Sequence, residues 1–262
     1  MSKDTRPIGL LDSGVGGFTV LKELRARLPE EDIIYCADSA NCPYGNRTEA
    51  DLVSLVERML TFLEEKQVKL VLIACNTTSA LVDRYRDGFS YPILDIISPM
   101  ARGVSDLQLP AVGLVATRFT VEAGRYEAEL LRHRARMQVY SQGSRDLAML
   151  VDSGDLKSEA IYDEVKDLME KLSVHPVEHV ILGCTHYPLV GDVFREAAPH
   201  IRFLNPAVYQ AAEAVRLLGD PVQSETKLGT CTVYTSGQAK VCEELLTQLG
   251  FDAFEVRQVE RY

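Results

Sequence analysis

Two stretches of this chain end an apolar run in a thiol and then turn polar at once. The first is "LVLIACNTTSA" (70–80) and the second is "HVILGCTHYPLV" (179–190). Cys75 is followed by Asn76-Thr77-Thr78-Ser79, and Cys184 by Thr185-His186. A lone cysteine usually packs as a small apolar residue. At the start of a helix it behaves differently, because the free N–H groups there favour thiolate over thiol and also bind carboxylates. Two such thiols facing one bound molecule suit racemisation at a carbon next to a carboxylate. One cysteine, as thiolate, removes the Cα proton; the other, as thiol, delivers a proton to the opposite face. Such acid–base catalysis is effective when the pKa lies near working pH.

The elements that must hold these thiols are legible as alternating patterns. Short apolar runs at 8–12, 32–38, 70–75, 92–97, 111–117, 137–142, 179–184, 202–206 and 231–237 read as strands. Between them lie amphipathic stretches such as "FTVLKELRARL", "EADLVSLVERMLTFLEEK" and "AIYDEVKDLMEKLSV". Near-continuous apolar strands separated by helices indicate parallel sheets covered on both faces, an α/β fold. The chain also echoes itself. "IGLLDSGVGGFTV" resembles "VGLVATRFTV" at 112–121, as the first cysteine stretch resembles the second. Asp12 precedes Cys75 by 63 residues and Thr117 precedes Cys184 by 67. The echo implies two similar three-layer α/β halves related by a pseudo-two-fold, the second starting near residue 97. Ligands in open α/β sheets collect beyond the carboxyl ends of the strands. Asp12, Cys75, Thr117 and Cys184 all fall there, so the site is expected in the cleft between the halves.

Composition removes other classes. The 262 residues carry a net charge of −10 with no dense basic run, which argues against nucleic acid or an anionic membrane as partner. No window reaches the length of a membrane span, and the start has no secretory signal; a cytoplasmic location is expected. The six cysteines form no CxxC pair, so neither a disulfide framework nor a structural zinc site is expected. Cys36, Cys42, Cys231 and Cys242 have no matching partner stretch and read as structural. Gly14, Gly16 and Gly17 permit a tight turn but do not match a dinucleotide fingerprint.

"LLDSGVGG", "ANCPYGNRT", "ACNTTSA" and "LGCTHYPL" occur in that order. Together they resemble glutamate racemase, a cofactor-independent branch of the aspartate/glutamate racemase superfamily. The resemblance implies Cys75 and Cys184 as the catalytic pair, no cofactor and no metal. It implies substrate contacts at Asp12-Ser13, Tyr44-Gly45 after Pro43, Asn76-Thr77 and Thr185-His186. It also implies D-glutamate supply for peptidoglycan and a homodimer. A first domain of 1–96 plus 208–262, closed by the C-terminal segment, and a second of 97–207 follow from it.

The individual residues also have blander readings. Asp12 is a potential helix cap, but it suits the role of assistant to Cys75 that meets the substrate ammonium. His186 suits the same role beside Cys184, since imidazole tunes a thiol by charge or hydrogen bonding. Thr117 and Thr120 are either caps of the "FTVEAGRY" helix or ligands. The chain departs from the family at 94–100 and 143–154, where Asp152 stands in for a longer glutamate. Those departures keep an aspartate or broader amino-acid racemase open. A silent amino-acid-binding homologue is the remaining alternative.

Overall fold

The computed structural model describes residues 4–219 and 228–262; residues 1–3 and 220–227 of the expected first domain lie outside the described residues. Among the described residues, ten strands form two sheets. β1 (Ile8–Asp12), β2 (Ile33–Ala37), β3 (Leu70–Ile73) and β4 (Ile93–Asp95) belong to the first. β5 (Ala111–Thr117), β6 (Gln138–Ser144), β7 (His179–Gly183) and β8 (Arg202–Leu204) make the second. β9 (Cys231–Thr235) and β10 (Glu255–Gln258) return to extend the first sheet beyond β2.

The strand order gives the internal echo a physical form. The first sheet runs β10-β9-β2-β1-β3-β4 and the second β6-β5-β7-β8, with every pairing parallel. Read from the same edge, the common part is β4-β3-β1-β2 in one and β8-β7-β5-β6 in the other. β1 therefore corresponds to β5 and β3 to β7, as the spacing of Asp12–Cys75 and Thr117–Cys184 requires.

Alternation along each strand separates three apolar layers. Leu10, Leu70, Leu72, Val112, Leu114 and Ile181 face one shared core that also takes helices Phe18–Arg27, Ile97–Asp106 and Arg125–His133. Leu11, Val71 and Ile73 face the other way, onto helix Glu49–Glu65. Val115, Val180 and Leu182 face helices Glu159–Ser173 and Gly191–Ala197. A period of two places each run's neighbours on opposite faces, so strands buried on both sides must be apolar throughout. The middle layer spans both halves, so the cleft has a packed floor.

Two local devices fix strand ends. Helix Pro206–Leu218 brings Gln210 back to the first sheet, where its Nε2 donates to the carbonyls of Ile73 and Leu94, 2.9 Å each. The departing 94–100 segment closes β4 and opens the next helix. Asp95 accepts from the N–H groups of Ile97 and Ser98 and from the Ser98 hydroxyl, and pairs with Arg86 at 3.1 Å. Among the described residues, no helix is long and apolar enough to cross a membrane.

Candidate active site

Cys75 and Cys184 sit beyond the ends of the corresponding strands β3 and β7, and both line one narrow cavity. Ser13, Pro43, Tyr44, Gly45, Asn76, Thr77, Thr117, Thr185 and His186 line it as well. Asp12 and Thr120 are not among the lining residues; each stands directly behind one that is.

The two thiols begin different turns. The Cys75 carbonyl accepts from Ser79 N, four residues on, and opens the single α-turn Asn76–Ser79. The Cys184 carbonyl accepts from Tyr187 N, three residues on, before the 3-10 helix Tyr187–Val190. The expected helical first turn at Thr185-His186 is thus replaced by a tighter one. The residue four beyond Cys184 is Pro188, which has no N–H to donate.

Behind Cys75 runs a short polar chain. Its thiol donates to Ser13 Oγ at 3.7 Å, and the Ser13 hydroxyl donates to Asp12 Oδ1 at 3.3 Å. Gly14 N also donates to Oδ1 at 3.0 Å, and the Thr185 hydroxyl reaches Oδ2 at 3.2 Å. Asp12 is fully buried, and burial pushes its carboxyl up to about 6 against the pull of the His186 charge and these donors. Burial, reinforced by the Asp12 charge, pushes the Cys75 thiol up to about 11, although hydrogen bonding with Thr78 and Ser13 opposes it.

Behind Cys184 the arrangement differs. His186 Nδ1 lies 3.6 Å from the Cys184 sulfur, and Nε2 lies 2.8 Å from Asp152 Oδ1. Burial opposes the imidazolium, but the Asp152 carboxylate and its hydrogen bond outweigh it, so His186 is held well above its ordinary value. Asp152 is correspondingly lowered: burial raises it, and the His186 charge and bonds from His186 and Cys42 more than offset this. Asp152 ends helix Leu147–Asp152, in the segment that departs from the family.

The floor between the thiols is polar. Thr77, Thr117 and Thr120 hydroxyls form a triangle with sides of 3.1, 3.4 and 2.8 Å. Thr117 lines the cavity and also caps helix Arg118–Glu122 by accepting from Thr120 N. Tyr126 donates to Asn76 Oδ1 at 2.6 Å, which turns the amide. Asn76 Nδ2 is buried and has no hydrogen-bond partner among the described residues. Tyr44 differs from a simple ligand: its hydroxyl is held by Asp38 at 2.6 Å, leaving the ring and backbone of Tyr44–Asn46 to the cavity.

Sequence reasoning missed three features here. Arg145 and Ala148 line the cavity, and among the described residues that line it Arg145 is the only lysine or arginine. Cys42, read as structural, donates to Asp152 Oδ2 at 3.1 Å. Tyr126, which anchors Asn76, carried no signal, because a buried tyrosine on an amphipathic helix reads as core.

The family model for "Asp/Glu/Hydantoin racemase" matches residues 19–214. A glutamate racemase of Herpetosiphon aurantiacus is 37% identical over 236 residues, covering 88% of this chain and 93% of that protein. The crystal structure of a Bacillus anthracis glutamate racemase isoform superposes with a TM-score of 0.88 at 28% identity, covering 97% of each chain. That of the Francisella tularensis glutamate racemase in complex with D-glutamate gives 0.86 at 26% identity, again over 97% of each. The chain belongs to the Asp/Glu/hydantoin racemase family and is an amino-acid racemase.

Proposed function

We propose that this protein interconverts L- and D-glutamate by proton transfer between two cysteines. The observation that carries the reading is that Cys75 and Cys184 line one cavity, each backed by its own carboxylate-linked proton relay. The similarity to glutamate racemases, one of them bound to D-glutamate, supports the substrate.

In the resting form the Cys75 sulfur carries its proton, and His186 is an imidazolium beside Cys184. Cys184, as thiolate, takes the Cα proton from one face. The electron pair moves into the α-carboxylate system, and Cys75 returns a proton to the opposite face. The step leaves Cys184 as thiol and Cys75 as thiolate, the state from which the reverse reaction starts. A resting enzyme that meets the other enantiomer first must move the Cys75 proton out, and the Ser13–Asp12 chain accepts it. The unpaired Asn76 Nδ2 and the Thr77 hydroxyl, steadied by Thr117 and Thr120, donate to the substrate carboxylate. Ser13, with the Asp12 carboxylate behind it, faces the ammonium group. The division of the chain at 1–96 plus 208–262 and 97–207, the supply of D-glutamate for peptidoglycan, a cytoplasmic setting and homodimerisation complete the proposal and rest on the resemblance.

Arg145 is placed to meet the distal carboxylate. It lines the cavity, is exposed, and makes no ion pair among the described residues. A circular-dichroism assay across acidic amino acids tests the assignment. Glutamate turnover exceeds that of aspartate, and Arg145→Ala raises KM for glutamate by about tenfold, the loss of one charge-assisted contact. Faster aspartate turnover overturns the substrate; absence of any Cα exchange overturns the enzyme in favour of a binding protein.

A further inference from the structure

Cys42, Asp152 and His186 come from three separate segments. Cys42 lies in the loop after β2, Asp152 at the end of a short helix, and His186 in the turn after β7. One ligand atom of each lies within 4.8 Å of the other two. His186 Nε2 is 2.8 Å from Asp152 Oδ1, and Cys42 Sγ is 3.1 Å from Asp152 Oδ2. We propose that this triad is an inhibitory site for a zinc-class divalent cation.

The donor set selects the class of ion. Thiolate, imidazole and carboxylate together suit zinc and its borderline neighbours, whereas magnesium and calcium take oxygen donors. Metal–ligand bonds of about 2.0–2.3 Å in a tetrahedron separate ligand atoms by about 3.3–3.5 Å. His186 and Cys42 contact different oxygens of Asp152, so the carboxylate must turn to present one oxygen to the ion. The three ligand atoms, now within 4.8 Å of one another, must settle at that spacing by side-chain rotation. Binding displaces the Cys42 thiol proton and any proton on His186 Nε2 to solvent. The fourth position faces solvent, because Asp152 is exposed and Cys42 partly so.

The consequence for the reaction is direct. His186 Nε2 becomes a metal ligand, so its bond to Asp152 is replaced and the ring that lies 3.6 Å from the Cys184 sulfur is re-aimed. The same ion ties the Cys42 loop of the first half to Asp152 and His186 of the second. The ion thereby bridges two elements that line the same cavity. Spacing gave no hint of the site, because the three residues are each more than thirty positions apart in the chain.

The inhibitory role rests on the racemase reading, but the binding does not, so two measurements separate them. Cobalt(II) is added to the reduced, metal-free full-length protein. One equivalent binds and produces a thiolate-to-cobalt absorption band. Cys42→Ser abolishes the band, Asp152→Asn weakens binding at least tenfold, and Cys75→Ser and Cys184→Ser retain the band. Zinc(II) displaces the cobalt and stops racemisation at the same stoichiometry; a chelator restores it, and Cys42→Ser is at least tenfold less sensitive than the parent. A band that survives Cys42→Ser, or that vanishes in the Cys75 or Cys184 variant, overturns the site. Full turnover with one zinc bound overturns the inhibitory role. If the protein shows no Cα exchange at all, the cobalt band still decides the site.

Discussion

Gly16 packs against the turn that follows Cys184, and replacing it by alanine tests the geometry without removing a functional group. A Cβ built there lies 2.6 Å from Thr185 Oγ1 and 2.7 Å from His186 Nδ1, against ordinary contacts of 3.4 Å or more. The Thr185-His186 turn must therefore retreat by about 0.8 Å. Its contacts do not tolerate that. Thr185 reaches Asp12 at 3.2 Å and His186 reaches Cys184 at 3.6 Å, so both lengthen beyond useful range. Misplacement of about 1 Å in a positioned catalytic group costs roughly a hundredfold in rate. Gly16→Ala should lower kcat/KM for glutamate by roughly 10- to 100-fold, read by circular dichroism. Gly14→Ala is the control. Its nearest contact is Cys42 Sγ at an ordinary 3.4 Å, and it should lose less than threefold. A Gly16→Ala protein with parental turnover refutes the claim that this approach sets the position of His186.

Two further substitutions probe the relays. Asp12 is raised from 3.8 to about 6 by burial, so the folded state binds its proton more tightly than the unfolded chain does. Below pH 3.8 both states are protonated; as pH rises through about 6 the fold must carry a buried charge and loses roughly 3 kcal/mol. Asp12→Asn should therefore gain stability over the parent across that window while losing activity, measured by urea midpoints at about pH 4 and pH 7.5; a gap that does not grow with pH contradicts the assignment. Tyr126→Phe leaves the Asn76 carbonyl without its 2.6 Å donor. It should cost about 1–3 kcal/mol and raise KM without shifting the pH profile, and an unchanged KM argues against Asn76 as a ligand.

The sequence carried the sheets because strands buried on both faces are compelled to be apolar along their whole length. It missed β10 for the complementary reason. Glu255–Gln258 is an edge strand with mostly exposed polar side chains, so no hydrophobic run marks it. The echo carried the pairing of β1 with β5 and β3 with β7, because two halves with one strand order repeat both residue type and spacing. Boundaries suffered where polar ligands interrupt the periodicity: β3 stops at Ile73 rather than Cys75, and β8 at Leu204, where Asn205 caps the next helix. Cys42 beside Asp152 was illegible because loop side chains meet through tertiary closure, which no local pattern encodes. Arg145 did leave a trace, as a cation in a segment that departs from the family, but its direction required the fold.

The central claim is that sulfurs on opposite sides of one cavity act on opposite faces of Cα. Racemisation of each glutamate enantiomer in deuterium oxide, followed at low conversion by mass spectrometry with separation of enantiomers, tests it most directly. The account predicts deuterium in the product enantiomer and protium in the recovered substrate, from both directions, with the deuterated product lost in Cys75→Ser and Cys184→Ser. Product that keeps its original protium, or either serine variant racemising at near-parental rate, contradicts it.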